Sequence, residues 1–63
     1  MARIDCKLER NVRIYRAYLL NVKIASIARF ENISPNRVSQ IIAFTKQRID
    51  EGDFDYVQEF SKE

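Results

Sequence analysis

The chain has 63 residues, room for one small domain, and a chain of that size buries only about 60% of its surface on folding, so help from a partner or a second copy is expected. Eleven Lys and Arg against nine Asp and Glu sum to +2, but residues 1–48 hold ten basic and three acidic side chains (+7) while residues 49–63 hold one basic and six acidic (−5). The absence of His and the presence of one Gly and one Cys exclude an imidazole base, a His-containing or four-Cys zinc site, a phosphate-cradling glycine loop and an intrachain disulfide.

Glycine and proline are so scarce that the chain reads as all-α, three or four short helices with the few breakers as punctuation. The first is predicted from about Asp5 to Leu20. At 100° per residue Ile4, Leu8, Val12, Tyr15 and Leu19 fall within an arc of about 80°. Arg3, Lys7, Arg10, Arg13 and Arg16 lie opposite, as a solvated basic face. Ile14 and Leu20 do not obey this separation, and Cys6 reads as a small helical residue. Asn21 tolerates a left-handed conformation and is expected to end the helix.

A second helix, 24–31, presents Ile24, Ile27 and Ala28 on one side, and Asn32 ends it as Asn21 ended the first. Ser34-Pro35 then starts a third, because a serine hydroxyl accepts from a free helix N–H and proline at the first helical position lacks only an N–H that has no partner there. This helix is predicted over about 35–49, with Val38, Ile41, Ile42 and Ile49 buried, Phe44 alongside and Gly52 as the stop. Asp53 caps a last short helix with Phe54, Val57 and Phe60 at three-residue spacing. A segment this short needs packing to be stable.

Two helices joined by a three-residue turn, the second capped and polar at its exposed start, form the pattern of a helix-turn-helix. Ala28 is small where the helices cross, Asn32 fills the turn position that favours glycine or asparagine, and Ile33 sits beneath the turn. The run Ile27-Ala28-Arg29-Phe30-Glu31-Asn32-Ile33-Ser34-Pro35-Asn36-Arg37-Val38-Ser39-Gln40-Ile41-Ile42 resembles the helix-turn-helix of the promoter-reading C-terminal domain of bacterial sigma factors. It is also similar to small regulators of phages and mobile elements, including the Mor-type activators. The resemblance covers roughly residues 11–48, with Asn32 in place of the customary Gly and Phe30 where relatives often carry a polar residue. Phe30 is either covered by the first or last helix or an exposed contact, and cover is preferred because large exposed apolar patches are rare.

The exposed start of the third helix offers Asn36, Arg37, Ser39 and Gln40. Asn and Gln pair with adenine in the major groove, Arg pairs with guanine, and Ser bonds several base edges. The resemblance implies base reading from the positions of Asn36, Ser39 and Gln40, with Arg37 nearer the backbone. Lys23, Ser26, Ser34, Thr45, Lys46 and Arg48 are candidate phosphate contacts, favoured together by the +7 of this part of the chain.

Residues 1–50 are thus expected to form a DNA-binding domain and 51–63 an acidic segment. That segment has three options: to dimerise through Phe54, Tyr56, Val57 and Phe60, to bind the basic body, or to touch another protein such as RNA polymerase. Dimerisation is preferred, because small regulators bind symmetric operators as dimers. No apolar run reaches the roughly 20 residues of a membrane span, and the start lacks a signal-peptide core. The expectation is a non-enzymatic, cofactor-free, cytoplasmic transcriptional regulator that binds double-stranded DNA as a homodimer. The alternative is a protein-interaction module on the same fold.

Overall fold

The structure is a computed structural model and describes residues 8–62. Among these residues the chain is all-α, with α1 at Leu8–Leu19, α2 at Ile24–Glu31, α3 at Pro35–Asp50 and α4 at Phe54–Ser61. The predicted beginning of the first helix, with Arg3, Ile4, Cys6 and Lys7, lies outside the described residues.

Each of the first three helices ends in the same way. Asn21, Asn32 and Gly52 take left-handed φ values of 69°, 61° and 79°. The N–H of the following residue, Val22, Ile33 or Asp53, then reaches back to the carbonyl of Ala17, Ala28 or Arg48 at 2.9–3.1 Å. This paired arrangement satisfies carbonyls that a helix end leaves open. At the other ends, Ser34 Oγ accepts from the Arg37 N–H at 3.1 Å, and Asp53 Oδ1 accepts from the Asp55 and Tyr56 N–H groups. The three-residue turn Asn32-Ile33-Ser34 is therefore defined at both edges by local chemistry.

α1 and α3 are the central pair, with α2 packed on both from one side and α4 on both from the other; α2 and α4 do not meet. The main core lies between α1, α2 and α3 and consists of Ile14, Ile27, Ala28, Val38, Ile41 and Ile42, with Tyr15, Ala17, Ile24 and Ile33 packed against it. A second, partly polar contact joins α4. The Asn11 amide donates to the Tyr56 hydroxyl at 3.0 Å in a buried hydrogen bond. Phe44 meets Tyr56 edge-on at 6.0 Å, and Phe60 lies 5.6 Å from Tyr15.

This arrangement corrects the single-stripe reading of the first helix. Neighbours on several sides bury or half-bury α1 at Leu8, Arg10, Asn11, Val12, Ile14, Tyr15, Arg16 and Ala17, an arc of about 260° at 100° per residue. Ile14, which fitted no stripe, is fully buried, whereas Leu19 at the helix end is half exposed. The basic face is not simply solvated either. Arg13 makes a two-pronged pair with Glu31 at 2.8 and 2.9 Å, tying α1 to the end of α2. Arg16 donates to the carbonyls of Glu59, Phe60 and Lys62 and lies over the Phe60 ring, so it caps the open C-terminus of α4.

The acidic segment docks on the body of its own chain. Tyr56, expected at a dimer contact, is 5% exposed and closed inside the monomer by Asn11 and Phe44. Phe60 is likewise half-buried against Tyr15 and Arg16. Phe54 and Val57 remain on the outside.

Candidate nucleic-acid interface

Burial of Val38, Ile41, Ile42 and Thr45 fixes the rotation of α3. At 100° per residue Asn36 and Gln40 then lie almost diametrically opposite Val38, with Ser39 and Arg37 on the two flanks. All four are exposed. Among the described residues, none of their side chains makes a hydrogen bond or ion pair with another, although the Arg37 backbone N–H is held by Ser34. The first two turns of α3 thus present donors and acceptors with no internal competitor.

Two further residues share this face and were missed from the sequence. Ala43 follows Gln40 by three residues and Gln47 follows it by seven, and both are exposed. Ala43 brings a methyl group of the kind that contacts thymine, while Gln47 donates to Glu51 at 3.1 Å. Their spacing from Asn36 and Gln40 was the available signal. Arg29 was also passed over; it is exposed in the last turn of α2 and adds a cation to the basic body.

The predicted phosphate contacts divide. Lys23 is exposed at the start of α2, where no side chain caps the open N–H groups, and such a helix start attracts anions. Ser34 is exposed, and its hydroxyl oxygen is engaged as the α3 cap while its own proton stays free to donate. Ser26 is exposed on α2 and lines a groove between α1 and α2. Thr45 is corrected outright: it is fully buried, its hydroxyl has no hydrogen-bond partner, and no phosphate can reach it.

Lys46 and Arg48 are held by acids further along the chain, Lys46 by the last residue of α3 itself and Arg48 by the cap of α4. Lys46 pairs with Asp50 at 2.9 Å, a hydrogen bond that holds its ammonium pKa above the usual value. Arg48 pairs with Asp53 at 3.0 Å and lies 5.8 Å over the Phe44 ring. Among the described residues Lys23, Arg29 and Arg37 are thus the exposed cations without an ion-pair partner, while Lys46 is exposed but paired.

Phe30 is a further correction. It is 79% exposed and stands at the edge of the α1–α2 groove, because α4 packs on the far side of α1 and never approaches α2.

Among the described residues no cluster of His, Cys, Asp or Glu is arranged to hold a metal ion, and no helix is long and apolar enough to cross a membrane. No protein-family model, curated protein or solved structure matches the chain.

Proposed function

We propose that this chain is a helix-turn-helix transcriptional regulator that reads double-stranded DNA by laying the start of α3 in the major groove, as a homodimer on a palindromic operator. One observation carries the reading. Asn36, Arg37, Ser39 and Gln40 project from a capped helix start, opposite a fixed core and without internal partners, and these are residue types that hydrogen-bond base edges.

In this reading Asn36, Ser39 and Gln40 contact bases, with Ala43 extending the same stripe and Arg37 reaching a base or the flanking backbone. Lys23, Ser34, Arg29 and the open N–H groups of α2 hold phosphates and set the register. Lys46 contributes by exchanging its bond to Asp50 for a phosphate. The +7 of residues 1–48 supplies the sequence-independent attraction.

The second reading, a module that binds polymerase or another regulator, has the exposed apolar groove beside Phe30 in its favour. Gln40→Ala separates the two. Base reading predicts a loss of about 1–3 kcal/mol on a site recovered from random duplexes, with binding to unrelated duplex nearly unchanged. An equal loss on both duplexes, or no loss on either, refutes base reading by α3.

A further inference from the structure

Lys46, Gln47 and Arg48 are consecutive, and each is engaged by a different acid. The Lys46 ammonium donates to Asp50 at 2.9 Å, the Gln47 amide to Glu51 at 3.1 Å and the Arg48 guanidinium to Asp53 at 3.0 Å. At 100° per residue the three lie about 80°, 180° and 280° around the α3 axis from the buried Val38. Gln47 therefore continues the line of Asn36 and Gln40, and the two cations stand on opposite flanks of that line. A helix lying in the major groove meets the phosphates of both walls on those flanks.

We propose that Asp50 and Asp53 occupy the two flanking cations in place of DNA phosphates, with Glu51 holding Gln47 between them, so that the second half of α3 is masked and its grip on any duplex restrained. This deepens the DNA-binding reading and rests on it. The position of the acids is the first support. Negative charge is disfavoured at the C-terminal end of a helix, and Asp50 and Glu51 close α3, so their charge opposes the dipole of the helix that carries them.

The second support is that the contacts are exchangeable. The side chains of Lys46 and Asp50 are each 61% exposed, and exposed pairs of this kind are weak, so a phosphate can displace the carboxylate without moving the backbone. Arg48 is held more closely, between Asp53 and the Phe44 ring. The third support is the contrast along the helix. Asn36, Arg37, Ser39 and Gln40 are exposed and have no such acid among the described residues. The mask therefore leaves base preference alone and weakens binding to all sequences by a similar factor.

Fluorescence anisotropy of the full chain on a dye-labelled duplex of unrelated sequence, about 20 bp long and at about 0.15 M salt, tests the mask. Asp50→Asn is expected to tighten binding about two- to fivefold, the range that corresponds to release of one exposed ion pair. Asp53→Asn is expected to act at least as strongly. Asparagine is also a good helix cap, so helical circular dichroism should stay unchanged. Asp55→Asn is the charge-matched control, because its side chain holds no cation among the described residues and it lies in the same acidic segment.

The sharpest comparison is Asp50→Asn in a Lys46→Gln background, where its gain should fall to that of Asp55→Asn. Gains from Asp50→Asn and Asp53→Asn no larger than the control's overturn the proposal. So does a gain from Asp50→Asn that persists in full without Lys46. If neither the wild type nor the Asp50→Asn/Asp53→Asn double variant binds duplex, the DNA-binding reading falls and the mask with it. A chain that binds all duplexes alike, yet gains from Asp50→Asn only while Lys46 is present, keeps the mask and loses base reading.

Discussion

The two ends of α3 carry polar residues of similar kinds and put them to different uses. In the first two turns Asn36, Arg37, Ser39 and Gln40 are all exposed, with no side-chain partner among the described residues. Toward the other end Thr45 is fully buried, Lys46 pairs with Asp50, and Arg48 pairs with Asp53 while lying over Phe44. What differs is the neighbour. The start of α3 follows a tight turn and is packed from below by α1 and α2, whereas its end is followed at once by an acidic segment that folds back onto it. The availability of a polar side chain on a helix is therefore set by the acids about one turn ahead, within the helix for Lys46 and just past its end for Arg48, as much as by its own position.

Both ends share one core, and removing it is the most forceful way to erase the difference. Ile14→Ala is expected to cost about 2–5 kcal/mol in urea denaturation, a large part of what a chain of this size can have. A variant that stays as stable as wild type contradicts the placement of Ile14 at the centre. Next comes Tyr56→Phe, which leaves the buried Asn11 amide without its acceptor and should cost about 1–3 kcal/mol. Because α4 touches the end of α3 and not its start, base preference should survive this change at temperatures where the chain stays folded.

A smaller effect arises at the α1–α2 tie. The hydrogen bond from Arg13 holds the Glu31 carboxyl below its ordinary pKa near 4.5. Its stabilisation is thus full above that pH and is lost as pH falls through the lower folded value. Arg13 is half solvated, so the contribution is under about 1 kcal/mol. Glu31→Gln should remove that part of the acid sensitivity, and an unchanged pH profile counts against the pair. The smallest expected effect is that of Thr45→Val. Its buried hydroxyl has no partner, so the apolar isostere should leave stability unchanged or raise it slightly, and DNA affinity should not change. A loss of DNA affinity in this variant, with the fold intact, breaks the contrast between the two ends of α3.

The features legible in the sequence are those governed by chemistry within a few residues. Ser34-Pro35, Asn21, Asn32, Gly52 and Asp53 each act on backbone groups close at hand, and the helix boundaries among the described residues follow them. The outward projection of Asn36, Ser39 and Gln40 was legible too, because Val38, Ile41 and Ile42 are spaced to face one side. What the sequence hid depends on where α4 docks. Its packing on α1 and α3 spreads burial around α1, encloses Tyr56 and takes Arg16 and Arg48 into internal contacts. Because it stays on that side, Phe30 is left uncovered. Periodicity along one helix carries no record of a neighbour 45 residues later in the chain.

Selection of bound sites from random duplex DNA by the intact chain bears most directly on base reading by the start of α3. The account predicts recovery of a defined motif, arranged as two inverted half-sites whose centres are about one helical turn, or a multiple of it, apart. It further predicts that the preference relaxes at one position of each half-site with Gln40→Ala. A recovered pool no different from the starting one, or a motif that Gln40→Ala and Asn36→Ala both leave unchanged, contradicts it.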